Sequence, residues 1–234
     1  METTGKYWIR QNKDHTPRDT IKSLRKQDSD QENPTYEEDS KKMAEMTRDY
    51  HQELQNIGLQ ETTEEDYNEV LLHLNTKLNQ ADKNLLATFI RYEEVEEALH
   101  LLPNGTAAGL DGLPHEFWKN FASRFTNDKK NGNPAFDIIK CLKTVFNEIE
   151  KTGPDPQSSF ASGWMCPIYK KGEKSEIANY RPITVLNTDY KIMTRTLTTR
   201  LANITPKIIH KDQAGFMKGR RIEDQTELVK LLIR

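Results

Sequence analysis

The stretch from 163 to 186 constrains the fold more than any other. Six residues in an apolar run, Trp164, Met165, Cys166, Pro167, Ile168 and Tyr169, end at Lys170, Lys171 and Gly172. Ten residues after Lys171, Arg181 and Pro182 open a second run, Ile183, Thr184, Val185 and Leu186. Short apolar runs bounded by glycine and proline read as strands, and the glycine permits a turn. Strand, basic turn and returning strand predict a β-hairpin with cations at its tip. The first strand is expected to be buried. A lysine meets phosphate as a point charge and an arginine as a bidentate donor, so such a tip suits a triphosphate. Alternation puts Lys170 and Lys171 on opposite faces of a strand, and the spacing leaves open which of them faces phosphate.

Net charge over the 234 residues is −2, which taken whole argues against a nucleic-acid binder. The distribution argues the other way. Residues 161–234 hold 14 Lys+Arg against 7 Asp+Glu, while residues 1–160 hold 20 against 29. A basic C-terminal third predicts one charged working surface. With 35% hydrophobic and 30% charged residues the chain can build a modest core. Cys141 and Cys166 stand alone in apolar contexts and are expected as buried free thiols, and no CxxC pair supports a zinc site or disulfide framework. No segment approaches the roughly 18 apolar residues of a membrane span. The polar N-terminus lacks a signal-peptide core, so an intracellular protein without a membrane partner is expected, in nucleus or cytoplasm.

Along the chain, residues 1–35 read as a polar arm with a few apolar anchors, Tyr7, Trp8, Ile9, Ile21 and Leu24, and a linker over 26–35. Met43, Met46, Tyr50, Leu54 and Ile57 predict a helix over 37–57 with Gly58 as its C-cap. Tyr67, Leu71, Leu74 and Leu78 predict a packing helix over 64–79, entered through a Thr63–Asp66 capping box. The acidic runs at 37–39 and 64–66 suit helix N-termini. Tyr92, Val95, Leu99 and Leu102 predict a helix over 92–102. A tight loop with Gly105, Gly109 and Gly112 follows, and then a helix from about Pro114, capped by Asp111. A surface loop over 127–133 precedes a helix over 134–151, whose face carries Ile138, Leu142, Val145 and Ile149, widened by Ile139 and Phe146. Beyond the hairpin, Tyr190, Met193, Leu197, Leu201 and Ile204 mark a helix closed by Pro206, with Lys191, Arg195 and Arg200 off its apolar stripe and open to phosphate or water. A glycine-bracketed basic turn over 212–221 leads into a last helix from 222, which leaves Leu231, Leu232 and Ile233 exposed. The fold class expected is α+β and mostly helical.

Three segments in order carry a family resemblance. PIYKKGEK with NYRPITVLNTDYKI, HKDQAGFMKGRR, and the upstream NGTAAGLDGLPHEFWK together resemble the fingers region of reverse transcriptases from non-LTR retrotransposons. The resemblance spans residues 85–234 and, more loosely, 1–84, which is similar to the helical linker ahead of the polymerase. It implies a chain of two parts: a helical linker region with a polar arm (1–84), and a partial reverse transcriptase domain (85–234) made of fingers without the palm. It implies that Lys170 or Lys171, together with Arg181, contacts the incoming dNTP. By the same resemblance Gln213, Gly215, Phe216, Lys218 and Arg220 lie near the template. The partners implied are an RNA template, a DNA primer and dNTP, with the palm supplied elsewhere if at all. The complete enzyme is expected to use Mg²⁺, two ions of which activate the attacking hydroxyl and steady the leaving pyrophosphate. The carboxylates that hold them in the family lie downstream of the QAGF-like turn, and no Tyr-x-Asp-Asp occurs here. No catalytic residue and no metal ligand is therefore assigned, and the chain alone is expected to be inactive. Two other functions fit the same residues: a non-catalytic nucleic-acid-binding module, and a helical protein-interaction fragment working through its acidic N-terminal helices.

Overall fold

The polar N-terminal segment contributes two short strands that its composition does not announce. The computed structural model describes residues 20–30, 32–57, 62–73 and 76–233. Residues 20–57 and 165–183 belong to one compact unit, and 62–164 and 184–233 to another. In the first, β1 (Leu24–Arg25) and β2 (Tyr36–Glu37) pair antiparallel, Leu24 opposite Glu37 and Arg25 opposite Tyr36. The linker between them closes through the Lys26 N–H, which donates to the Thr35 carbonyl at 2.9 Å. Asp39 caps α1 (Ser40–Asn56), its carboxylate accepting from the Lys42 N–H at 3.0 Å, so the acidic run serves a helix start as expected. Gly58 and the aromatic arm before residue 20 lie outside the described residues. The helix buries Met43, Thr47 and His51, one residue per four, and Leu54 and Ile57 are exposed. Met43, Leu24, Ile177 and Tyr180 form the core of this unit, with Ile21, Met46, Tyr50 and Tyr169 packed on it.

The hairpin is present as expected. β3 (Gly163–Tyr169) and β4 (Tyr180–Leu186) are hydrogen-bonded neighbours. Its first strand is not buried, since Trp164 and Ile168 are exposed. A two-stranded sheet has two faces to cover, and among the described residues neither strand has a further neighbour. The cysteines also depart from expectation: Cys166 on β3 is half-buried and Cys141 is exposed.

The second unit is helical. Thr63 and Asp66 form both bonds of the capping box at the start of α2 (Glu64–Leu72). The expected packing stripe fails, however: no residue of α2 is buried and the helix stops at Leu72, short of Leu78, while Leu74 lies outside the described residues. Asn79 starts a separate helix, α3 (Gln80–Ala87), by accepting from the Asp82 N–H at 2.8 Å. The core is built by α4 (Tyr92–Leu101), α6 (Ile138–Thr152) and α7 (Thr188–Ala202), with α5 (His115–Lys130) packed against them. It holds Ile90, Val95, Leu99, Ile138, Ile139, Leu142, Phe146, Ile192 and Met193. Phe146 and Ile139 sit at the centre of the α6 face, whereas Val145 is half exposed and Cys141 points away with it.

Several boundaries are corrected. Pro114, not Asp111, is the N-cap of α5, and the Asp111 carboxylate instead accepts from the Leu113 N–H at 3.0 Å. α5 runs on through 127–130, into the expected loop, and ends at Asn131 and Gly132. α7 ends at Ala202, and Pro206 falls in the 3₁₀ turn Thr205–Lys207 that follows. Arg200, expected on an open face, is buried. The last helix, α8 (Ile222–Leu232), has no buried residue.

Candidate nucleotide and nucleic-acid interface

The ten residues between β3 and β4 are held by short-range polar contacts. The Lys170 N–H donates to the Asn179 carbonyl at 2.9 Å and closes the base of the tip. The Tyr169 hydroxyl donates to the Gly172 carbonyl at 2.6 Å, the Asn179 Nδ2 to the Glu173 carbonyl at 2.9 Å, and the Tyr180 hydroxyl to the Lys174 carbonyl at 2.7 Å. Gly172 has φ +92°, and a β-carbon there would lie 2.7 Å from Asn179 Nδ2, so both its conformation and its space require glycine. The Tyr169 and Tyr180 rings meet edge to face at 5.6 Å, and Lys174 Nζ sits 5.3 Å from the Tyr169 ring centre. From β1, Arg25 binds the tip twice, by its N–H to the Ser175 carbonyl at 2.8 Å and by its guanidinium to Glu176 at 3.3 Å.

None of these contacts uses the cations that the sequence nominates. Lys170, Lys171 and Arg181 are all exposed, and none has an ion-pair partner among the described residues. Besides Lys174, which lies over the Tyr169 ring, the tip thus presents these three positive side chains on a frame made by other groups. Tyr169, Asn179, Tyr180 and Arg25 build that frame. Apolar periodicity passes over them, because their role lies in hydroxyl and amide donors aimed at carbonyls and a guanidinium aimed at a carboxylate.

The glycine-bracketed turn belongs to the second unit and is built differently. Arg220 Nη1 donates to the His210 carbonyl at 2.5 Å and the Gln213 carbonyl at 2.9 Å, and Nη2 to the Ile209 carbonyl at 3.2 Å. Gln213 Nε2 donates to the Gly215 carbonyl at 3.3 Å. Phe216 and Lys218 are exposed, and Lys211 and Arg221 extend the basic surface. Gln213, Gly215, Phe216, Lys218 and Arg220 therefore share one turn, with Arg220 serving as its internal brace.

The Gly-rich loop before α5 is pinned to the start of α7. Asn187 Oδ1 accepts from the Asp111 N–H at 3.3 Å and its Nδ2 donates to the Ser159 carbonyl at 2.8 Å. A β-carbon on Gly109 would lie 2.5 Å from the Asn187 backbone, so glycine is needed there for close approach. Trp118 Nε1 donates to Thr188 Oγ1 at 2.7 Å, which in turn donates to the Leu113 carbonyl at 2.7 Å. Lys191 reaches the Ala107 carbonyl at 3.1 Å, while Arg195 stays exposed. Asn187 went unnoticed in the sequence, where it is one polar residue between strand and helix. Below this loop Arg200 pairs with Glu94 at 2.7 Å and donates to the carbonyls of Thr88 and Phe89 at 2.6 and 3.2 Å. Burial pushes the Glu94 carboxyl up, but hydrogen bonds from Arg200 and the Arg91 backbone outweigh it and hold the carboxyl at about 2. Burial, reinforced by the neighbouring Asp111, raises the Asp189 carboxyl.

Among the described residues no group of three or more His, Cys, Asp or Glu side chains is clustered as a metal site would need. No described helix is long and apolar enough to cross a membrane.

Residues 168–233 match the family model described as reverse transcriptase (RNA-dependent DNA polymerase). The match takes in the three tip cations, the pinned start of α7 and the whole basic turn. The chain carries a reverse transcriptase region. Over 151 residues the chain is also 32% identical to the Transposon TX1 uncharacterized 149 kDa protein of Xenopus laevis. The alignment takes in 64% of the chain and spans about a tenth of that relative, 10% of its length.

Proposed function

We propose that this chain supplies the nucleotide- and template-holding side of an RNA-directed DNA polymerase. Residues 85–234 are its fingers region and residues 1–84 an upstream helical linker. Lys170, Lys171 and Arg181 neutralise the phosphates of an incoming dNTP. Gln213, Gly215, Phe216, Lys218 and Arg220 form the turn beside the template. The catalytic carboxylates and the Mg²⁺ they hold lie outside the residues assigned here, so binding is the activity expected of the chain. The observation that carries this reading is the hairpin tip. Its frame is held by neutral hydroxyls, an amide and Arg25, and its three exposed cations have no ion-pair partner among the described residues. A solvated surface charge needs no such frame; a phosphate contact does, because preorganised donors lose less entropy on binding.

The test is anisotropy of a fluorescent RNA–DNA primer-template, and separately of a fluorescent dNTP, across a salt series. Primer-template binding should weaken steeply with salt, because each neutralised phosphate releases counterions. Replacing Lys170, Lys171 and Arg181 together by alanine should abolish dNTP binding and leave most primer-template binding in place. Wild-type chain that is monomeric and helical yet binds neither ligand at low salt would refute the reading. Primer extension by the chain alone would refute the assignment of catalysis elsewhere.

A further inference from the structure

Phe216 combines two unfavourable states. It is fully exposed, at 111% relative accessibility, and among the described residues it alone is a non-glycine with positive φ, at 60°. A bulky side chain in left-handed backbone is strained, and such strain persists only where surrounding structure imposes it. Here the imposing structure is Arg220. Its guanidinium ties the carbonyls of Ile209, His210 and Gln213 to position 220, which closes the loop that carries Phe216 outward. With three of its five donors directed at backbone oxygens, that guanidinium is already committed to the turn. The exposed cations of the same turn are Lys211 and Lys218, with Asp212 paired to His210 at 3.4 Å and Arg221 in a loose pair with Glu223 at 3.6 Å. An exposed aromatic ring set among cations is the arrangement that binds unpaired nucleotides: the ring stacks on a base and the cations track the backbone.

We propose that Phe216 is a stacking surface for an unpaired base of a single-stranded nucleic acid, and that Arg220 is its positioning residue and not a phosphate contact. This rests on the nucleic-acid reading above and refines it. The strand recognised has bases free to stack, so a single strand is preferred to a blunt duplex of the same length. Stacking is indifferent to base identity, so little sequence preference is expected.

The experiment uses the full chain, a labelled 12-nucleotide single-stranded RNA and a blunt duplex of equal length. Phe216→Ala should weaken single-strand binding about tenfold and leave duplex binding unchanged, while Phe216→Trp should retain the single-strand affinity. Arg220→Ala should weaken single-strand binding by a similar factor with the salt slope unaltered. It should add nothing in a Phe216→Ala background, because both changes remove the same contact. Wild-type binding that Phe216→Ala leaves intact would overturn the proposal while the nucleic-acid reading stands. A slope lowered by about 0.7 in Arg220→Ala, or additive losses in the double variant, would make Arg220 a phosphate contact and overturn its positioning role. Absence of any wild-type binding would remove the inference together with the reading beneath it. Both side chains lie outside the two cores, so circular dichroism should report unchanged helix content in every variant.

Discussion

The hairpin tip and the turn over 209–221 are both basic loops containing glycine, and they satisfy their backbones in opposite ways. At the tip, Tyr169, Asn179 and Tyr180 donate to the carbonyls, and Lys170, Lys171 and Arg181 are left to solvent. In the turn the cation is itself the brace, Arg220 donating to three carbonyls. Every turn leaves carbonyl oxygens that something must satisfy. Where neutral side chains do so, cations remain available to a ligand; where an arginine does so, it is withdrawn from ligand contact. A basic motif therefore does not by itself say which of its charges are for binding.

Arg200 is the extreme of the second case and carries the largest predicted effect. It is buried, ion-paired to Glu94 and bonded to two carbonyls. Arg200→Leu leaves Glu94 with Arg91 alone, and breaking a buried pair from one side costs about 3–5 kcal/mol. Urea denaturation should show that loss. The pair also sets an acid limit. The Glu94 carboxyl lies at about 2, below its ordinary 4.5, so its contribution is complete above pH 4.5 and fades as pH falls toward 2. Arg200→Leu should therefore flatten the acid side of the stability profile, and an unchanged acid limb would break the comparison at its strongest point.

The two turns differ next in their glycines. Gly172 has φ +92° and Asn179 against it, whereas Gly219 has φ +78° with open space around it. Alanine at 172 meets strain and collision, for a loss of about 2–3 kcal/mol; alanine at 219 meets strain alone, about 1 kcal/mol. Thermal denaturation of the two variants should rank them in that order. Only Gly172→Ala should also weaken dNTP binding, since only that turn frames the tip cations. Equal losses would mean that the contact with Asn179 gives way freely.

Much of this was legible in the sequence. The hairpin, the Thr63–Asp66 capping box and the core positions Val95, Leu99, Ile138 and Leu142 follow from period and punctuation. What escaped was decided by contacts between distant segments. Phe146 and Ile139 are central because α4 and α5 both pack on α6, which the α6 sequence does not record. Arg200 sits off the apolar stripe by spacing, yet it is buried because Glu94, 106 residues away, receives it. The stripe of α2 is exposed because no described element covers it, and the tip's frame draws on Arg25, far from the hairpin in sequence. In the candidate site the residue types were readable, and the division between bracing and exposed cations was not.

Arg220 and Arg181 provide the smallest and most direct test of that division. Arg220→Ala removes three charge-assisted bonds from a surface turn, and with water replacing most of their value the cost should be about 1 kcal/mol. Arg181→Ala removes no bond within the protein among the described residues, and its stability should stay within about 0.5 kcal/mol of wild type. Affinity for dNTP should run in the reverse order. Arg181→Ala should lose about tenfold, the equivalent of one charge-assisted contact of about 1.4 kcal/mol, and Arg220→Ala should lose nothing. Arg181→Lys keeps the charge but not the bidentate fork, so it should recover only part of the affinity if Arg181 grips a phosphate by both donors. Full recovery by lysine would reduce Arg181 to a point charge. A destabilised Arg181→Ala would show that the tip, like the turn, is braced by its own cation.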